Sequence, residues 1–262
     1  MKLGFIGFGN MGSAMIKGII SSGIYQPSDI ITADVTDASL EKAAALGIAA
    51  AKDNSAAAKA DIVFLTIKPQ FYAEVIDGIK DTVSENTIVV TVAPGWTIER
   101  ITAAFGKKIK LVRSMPNTPA MVLEGMSELC PNENISDEEL DMIKSIYSSF
   151  GKVLVLPERL MNAAATAAGC SPAYVYMFIE ALADGAVREG LPRKQAYELI
   201  AQSVLGSAKM VLETGMHPGE LKDQVCSPAG TTIEGVYALE KAGFRAALMD
   251  AVAAPSEKSR KM

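Results

Sequence analysis

Histidine, paired cysteines and blocks of positive charge are what this 262-residue sequence has little of, and each shortage removes a class of function. A single histidine, His217, cannot build a zinc centre without thiolate or carboxylate company. It stands before Pro218 in a turn-like stretch, where a helix-cap or surface role is expected. The three cysteines, Cys130, Cys170 and Cys226, are odd in number, widely separated and without CxxC spacing. Free thiols are therefore expected, and no metal site. Lys and Arg gather only in the tail Lys258-Ser259-Arg260-Lys261, read as a solvated end, and the net charge of −5 argues against a nucleic-acid surface. No uninterrupted apolar span reaches the ~20 residues a bilayer requires. The first apolar run is broken by Gly7, Gly9 and Gly12, so neither a membrane helix nor a secretion signal is expected, and the reading is cytoplasmic. Low-complexity segments and fixed-period repeats are missing as well.

What is present begins at once. Lys2-Leu3-Gly4-Phe5-Ile6 is a short apolar strand that passes into Gly7-Phe8-Gly9-Asn10-Met11-Gly12 and then into an amphipathic stretch carrying Ala14, Met15, Ile16, Ile19 and Ile20. In this strand–turn–helix context Gly7 allows the tight turn, Gly9 lets a pyrophosphate approach the backbone, and Gly12 lets helix and strand pack closely, with amide N–H groups and the helix dipole facing the phosphates. A plain structural turn is the alternative. Asp29-Ile30-Ile31-Thr32-Ala33 reads as the second strand, and Asp34 at its end holds the position from which a carboxylate binds an adenosine ribose; a helix cap is the other role open to it.

Strand and helix then alternate regularly. Asp61 to Ile67 and Thr87 to Val92 are continuous apolar runs typical of parallel strands buried on both faces, and Ile109 to Val112 is a third. Helices are expected after Asp53-Asn54, around Val75, Ile76 and Ile79, and over Ile98 to Phe105. A strand is expected over Met126 to Cys130, a helix from Ser136 with Glu139 in capping-box position to about Phe150, and a closing strand over Lys152 to Leu156. The residues just past the buried runs, Lys68, Ala93 to Gly95 and Met115 to Thr118, should rim one crevice with the glycine loop. Pro157 marks the expected boundary between an N-terminal dinucleotide-binding domain of Rossmann type, 1–157, and an all-α domain, 158–262. In the second half, Leu221 to Glu240 places two helices around the polar turn Ser227-Pro228-Ala229-Gly230-Thr231-Thr232. Thr231 with Glu234 is read as a capping box, leaving helix N–H groups free to face a small anion such as a carboxylate, although an ordinary helical corner would look the same.

Four stretches in this order, Gly7 to Gly12, Ile67-Lys68-Pro69, Met115-Pro116-Asn117-Thr118-Pro119 and Ser227 to Ile233, closely resemble the Δ1-pyrroline-5-carboxylate reductase family over nearly the whole chain. The resemblance implies reduction of a cyclic imine by NADH or NADPH in proline biosynthesis, and homodimers through the helical domain, with assembly beyond the dimer left open. It puts the cofactor against Gly7, Phe8, Gly9, Asn10, Met11, Gly12, Asp34, Asn54, Lys68, Pro69, Ala93 and Asn117. It puts the substrate carboxylate on Val225, Ser227, Gly230 and Thr231, with the Thr232 hydroxyl on the ring nitrogen as the catalytic donor. Three places depart from the family pattern: Ala229-Gly230 where two glycines are usual, Ala93-Pro94-Gly95, and Ala168-Gly169-Cys170-Ser171 ahead of Pro172. Asp34, the absence of Lys or Arg in Val35-Thr36-Asp37 and the second charge of Asp37 favour NADH over a 2′-phosphorylated cofactor. Two other readings fit the glycine loop. A β-hydroxyacid dehydrogenase would need a lysine four residues beyond Gly169, where Ala173 stands, and a non-catalytic NAD(P)-binding sensor would bind cofactor without turnover.

Overall fold

The structure, a computed structural model, describes residues 1–260 and side chains as far as Lys258, so the end of the basic tail lies outside the described residues. The chain divides into two compact units, Met1–Cys170 together with the chain end from Ser256, and Ser171–Pro255.

The first unit is built on an eight-stranded sheet of order β3-β2-β1-β4-β5-β6-β7-β8. The strands are β1 (Leu3–Ile6), β2 (Ile30–Ala33), β3 (Ala49–Ala51), β4 (Ile62–Leu65), β5 (Ile88–Thr91), β6 (Lys110–Pro116), β7 (Gly125–Pro131) and β8 (Gly151–Val155). Neighbours from β3 through β6 pair in parallel; β7 turns antiparallel to β6, and β8 runs parallel to β7. Strand order reverses at β1, which sits between β2 and β4. In an open α/β sheet that reversal opens a crevice beyond the carboxyl ends of the strands. Register keeps those ends level, with Ile6 opposite both Ala33 and Leu65.

The apolar runs are continuous because both faces of these strands are covered. One core joins Leu3, Phe5, Phe64 and Val90 to α1 (Asn10–Ser22) and α6 (Asp137–Ser148). The other joins Ile6, Val63, Leu65 and Val89 to α3 (Asn54–Ala58), α4 (Tyr72–Ile79) and α5 (Ile98–Phe105). Phe5 and Phe64 stack with centroids 4.4 Å apart, and truncating a ring so buried costs about 3–5 kcal/mol. α6 begins with the expected capping box, Ser136 and Glu139 each accepting the other's backbone N–H. α2 (Asp37–Ala45) follows β2, with Asp37 in its first turn. The alanine strand β3 was not foreseen.

α7 (Glu158–Ala164) continues through a π-helical turn, Ala165–Gly169, into α8 (Cys170–Arg188). The second unit holds α9 (Arg193–Thr214), α10 (Pro218–Val225), α11 (Thr231–Lys241) and most of α12 (Phe244–Arg260) as well. Within Ser171–Pro255 only Ala183 and Ala196 are buried among the described residues. Met177, Leu212 and Met249 are each about two-thirds or more exposed, at 68%, 79% and 73%. No described helix is long and apolar enough to cross a membrane.

Candidate active site

The glycine loop has the geometry its spacing requires. Gly7 sits at φ +103°, and a Cβ there would lie 2.7 Å from the Thr66 carbonyl. A Cβ on Gly12 would meet the Gly7 carbonyl at 2.4 Å, so α1 packs this close to β1 only because residue 12 has no side chain. The space above Gly9 is open, with nothing within 4 Å of a Cβ position. Gly9 also caps α1 without any side-chain hydrogen bond, so the N–H groups of Asn10, Met11 and Gly12 at the helix start carry no side-chain cap. These donors and the open approach fit a pyrophosphate. Thr66 braces the loop, its hydroxyl donating to the Gly7 carbonyl at 2.6 Å.

A cavity of about 260 Å³ lies beside the loop, lined by Gly7, Asp34, Val35, Asn54, Phe71 and Glu74 among others. Its size and walls suit an adenosine. Asp34 does more here than its position suggested. One carboxylate oxygen accepts the Phe8 N–H at 2.8 Å, and the other accepts the Thr36 N–H and hydroxyl, each at 2.9 Å. Burial works to raise its pKa, but these bonds outweigh burial and hold the carboxyl below its ordinary range. Asp37 is not among the lining residues; it pairs with Lys52 at 2.7 Å. The second carboxylate at the cavity is Glu74, and no lysine or arginine lines it. Phe71 and Glu74 escaped the sequence reading, although their place just past the Lys68-Pro69 strand end was a usable signal.

The remaining cofactor candidates fall at strand ends. Lys68 is exposed, Pro69 opens a 3₁₀ turn, and Ala93 is buried just past β5. Asn117 follows β6, but its side chain is committed within the fold: Oδ1 accepts the Met126 N–H at 2.9 Å and Nδ2 donates to the Ala168 carbonyl at 3.0 Å. The side chain is thereby held in place by the fold, one Nδ2 hydrogen and one Oδ1 lone pair being used. Phe8 and Met11 point into the core rather than the crevice.

In the second unit the structure corrects one detail of the substrate loop. Gly230, not Thr231, is the N-cap of α11, it makes no side-chain cap bond, and the capping box with Glu234 is absent. Thr231 is already helical, which turns its hydroxyl away from the capping position. A Cβ on Gly230 would lie 2.3 Å from the Ser227 Oγ and 3.1 Å from the Ser227 carbonyl, so a side chain there would push the serine hydroxyl aside. The left-handed turn residue is its neighbour Ala229, at φ 56°. Val225, Ser227, Thr231 and Thr232 are exposed, and the Thr232 hydroxyl makes no hydrogen bond among the described residues. His217 caps α10 through Nδ1, which accepts the Gly219 N–H at 3.0 Å. The three cysteines are free, and no cluster able to hold a metal occurs among the described residues.

Comparison with known proteins agrees with both halves of this arrangement. Residues 158–262 match the family model described as pyrroline-5-carboxylate reductase dimerisation, and residues 2–95 match that of NADP oxidoreductase, coenzyme F420-dependent. Pyrroline-5-carboxylate reductase of Escherichia coli is 46% identical, covering 100% of this chain and 98% of its own. That of Methanosarcina acetivorans is 44% identical, covering 100% of this chain and 97% of its own. The solved Plasmodium falciparum pyrroline carboxylate reductase with NADP bound superposes with a TM-score of 0.90 at 33% identity, covering 100% of this chain and 97% of that one. With identity this high over the full length of the chain, the chain belongs to the pyrroline-5-carboxylate reductase family.

Proposed function

We propose that this chain reduces the C=N bond of Δ1-pyrroline-5-carboxylate to L-proline, the last step of proline biosynthesis, with Thr232 as the donor to the ring nitrogen. Residues 1–157 hold the cofactor, and residues 158–262 bind the substrate and join two chains in a homodimer in the cytoplasm. A reduced nicotinamide bound in the crevice supplies the hydride. The observation that carries the reading is that the loop Ser227–Thr232, at the N-terminus of α11, exposes three hydroxyl residues, leaves the helix start without a side-chain cap and contains no titratable side chain. Imine reduction asks for no more than this: hydride adds to the ring carbon of C=N, a proton adds to nitrogen, and the main tasks are to hold the carboxylate and orient the ring. The amides of Ser227 and Thr231 face the carboxylate at the positive end of α11, each charge-assisted hydrogen bond contributing roughly 1.5–3 kcal/mol, whereas the Gly230 N–H is spent within the loop, donating to the Ser227 carbonyl at 3.0 Å. Thr232 Oγ1 then hydrogen-bonds the ring nitrogen, with solvent as the eventual proton source.

A β-hydroxyacid dehydrogenase is disfavoured because α8 contains no lysine and Ala173 stands where one would be needed. Thr232→Val tests the assignment. It removes the donor and keeps the shape, so kcat/KM should fall about tenfold to hundredfold, equivalent to roughly 1–3 kcal/mol, while NADH affinity holds. A valine variant with wild-type kcat/KM would sink it.

For the cofactor, we favour NADH. A 2′-phosphate would enter a cavity already bearing Asp34 and Glu74 and lined by no cation.

A further inference from the structure

The turn after β4 and the turn after β5, which carry Lys68-Pro69 and Ala93-Pro94, are joined by a side chain outside the chemistry. Tyr72, the first residue of α4, is fully buried. Its hydroxyl donates to the Leu65 carbonyl at 2.5 Å and accepts the Val92 N–H at 3.1 Å. The last paired residues of these two strands are Leu65 and Thr91, so this bridge continues the strand-to-strand link at the point where the ladder stops and the backbones diverge into turns. A second tie lies just above it. The Tyr72 ring packs on Trp96 with centroids 5.2 Å apart, Trp96 Nε1 donates to the Pro69 carbonyl at 3.1 Å, and the Arg100 guanidinium covers the indole at 4.1 Å. Leu65, Tyr72, Val92, Trp96 and Pro69 thus form a closed circuit that fixes the gap between the two turns.

We propose that Tyr72 is a positioning residue for the cofactor: its hydroxyl sets the separation of the Lys68-Pro69 and Ala93-Pro94 turns and so shapes the part of the crevice that receives the nicotinamide half. A phenylalanine would fill the same core and keep the ring contact with Trp96 but leave the Val92 N–H and Leu65 carbonyl unbridged, so packing alone does not call for a tyrosine here. The inference rests on the assignment of Lys68, Pro69 and Ala93 to the cofactor.

Tyr72→Phe keeps the ring and deletes the bridge; Trp96→Phe keeps the ring contact and deletes the upper tie. Dissociation constants for NADH without substrate, steady-state constants and melting curves are measured for both. The Kd and KM for NADH should rise three- to tenfold in Tyr72→Phe and about two- to threefold in Trp96→Phe. The KM for pyrroline-5-carboxylate at saturating NADH should stay within twofold, because the residues assigned to that substrate belong to the other unit. A lower Tm with unchanged NADH Kd, measured well below melting, would reduce Tyr72 to a structural residue and overturn the proposal. Gly9→Val separates the two levels of the argument. If it leaves NADH affinity intact, the cofactor assignment fails; if it abolishes binding while Tyr72→Phe does not change it, only the Tyr72 proposal fails.

Discussion

Replacing Ala229 with glycine should stabilise this protein, against the usual direction for an alanine-to-glycine change. Ala229 is one of two described non-glycine residues with positive φ, at 56°, and it lies in the loop between α10 and α11. An L-residue in the left-handed region carries a penalty of roughly 1–2 kcal/mol that glycine does not. Glycine in turn loosens the unfolded chain, a cost of about 0.4–1 kcal/mol. The difference leaves a net gain of about 0.5–1 kcal/mol, or a rise of a few degrees in Tm for a chain of this size. Ala229→Val points the other way, because a β-branched side chain tolerates φ near 56° less well than alanine does. Urea denaturation of the three proteins, followed by helical circular dichroism, gives the ranking directly: glycine, then alanine, then valine. The same trio read by kinetics reports on the loop as a cradle, with valine raising the KM for pyrroline-5-carboxylate severalfold by turning the Thr231 amide, and glycine keeping it within twofold. A glycine variant less stable than wild type by 0.5 kcal/mol or more would show that Ala229 does not hold the left-handed conformation, and the reasoning would fall with it.

For the cofactor, kcat/KM with NADH should exceed that with NADPH by about tenfold to a hundredfold, the ratio expected for roughly 1–3 kcal/mol of like-charge mismatch. Glu74→Gln should narrow the gap several-fold by raising only the NADPH value; a wild-type NADPH value equal to or above NADH would refute the preference. For assembly, the Ser171–Pro255 unit buries only Ala183 and Ala196 among its described residues and holds an apolar groove lined by Tyr174, Phe178, Val204, Val211, Phe244 and Leu248, so a second copy is expected to cover it. Light scattering at micromolar concentration should give the mass of two chains or a multiple of it, and the mass of one chain would contradict the dimer.

The sheet and the glycine crevice were legible because parallel strands covered on both faces leave continuous apolar runs, and because the glycines at 7 and 12 answer to steric demands of the fold itself while Gly9 keeps the approach to the loop open. β3 was not, since Ala49-Ala50-Ala51 offers no bulky alternation and lies at the sheet edge. The capping box at Thr231 was misread by one residue, because Gly230 reaches the N-cap conformation with no side chain to announce it. The side-chain duties of Asn117 and Tyr72 were out of reach for a different reason. Their partners are brought in by tertiary structure, Ala168 from 51 residues away and Val92 from 20, and no local pattern encodes such pairs. Glu74 was within reach, since it follows the Lys68-Pro69 strand end, but its placement at the Asp34 cavity comes from the crossover between β4 and β5.

The hydrogen bonds of the Asp34 carboxylate bear on how cofactor choice can change in this lineage. Swapping the acid at the end of β2 for a neutral or basic residue is the obvious route to a 2′-phosphorylated cofactor. Here the same carboxylate holds the Phe8 amide and so sets the entry to the glycine turn. A substitution at 34 alone would therefore weaken the grip on both nicotinamides while shifting the balance between them. An evolving chain would have to re-anchor the turn first, or begin at Glu74, whose charge can be removed without touching the loop.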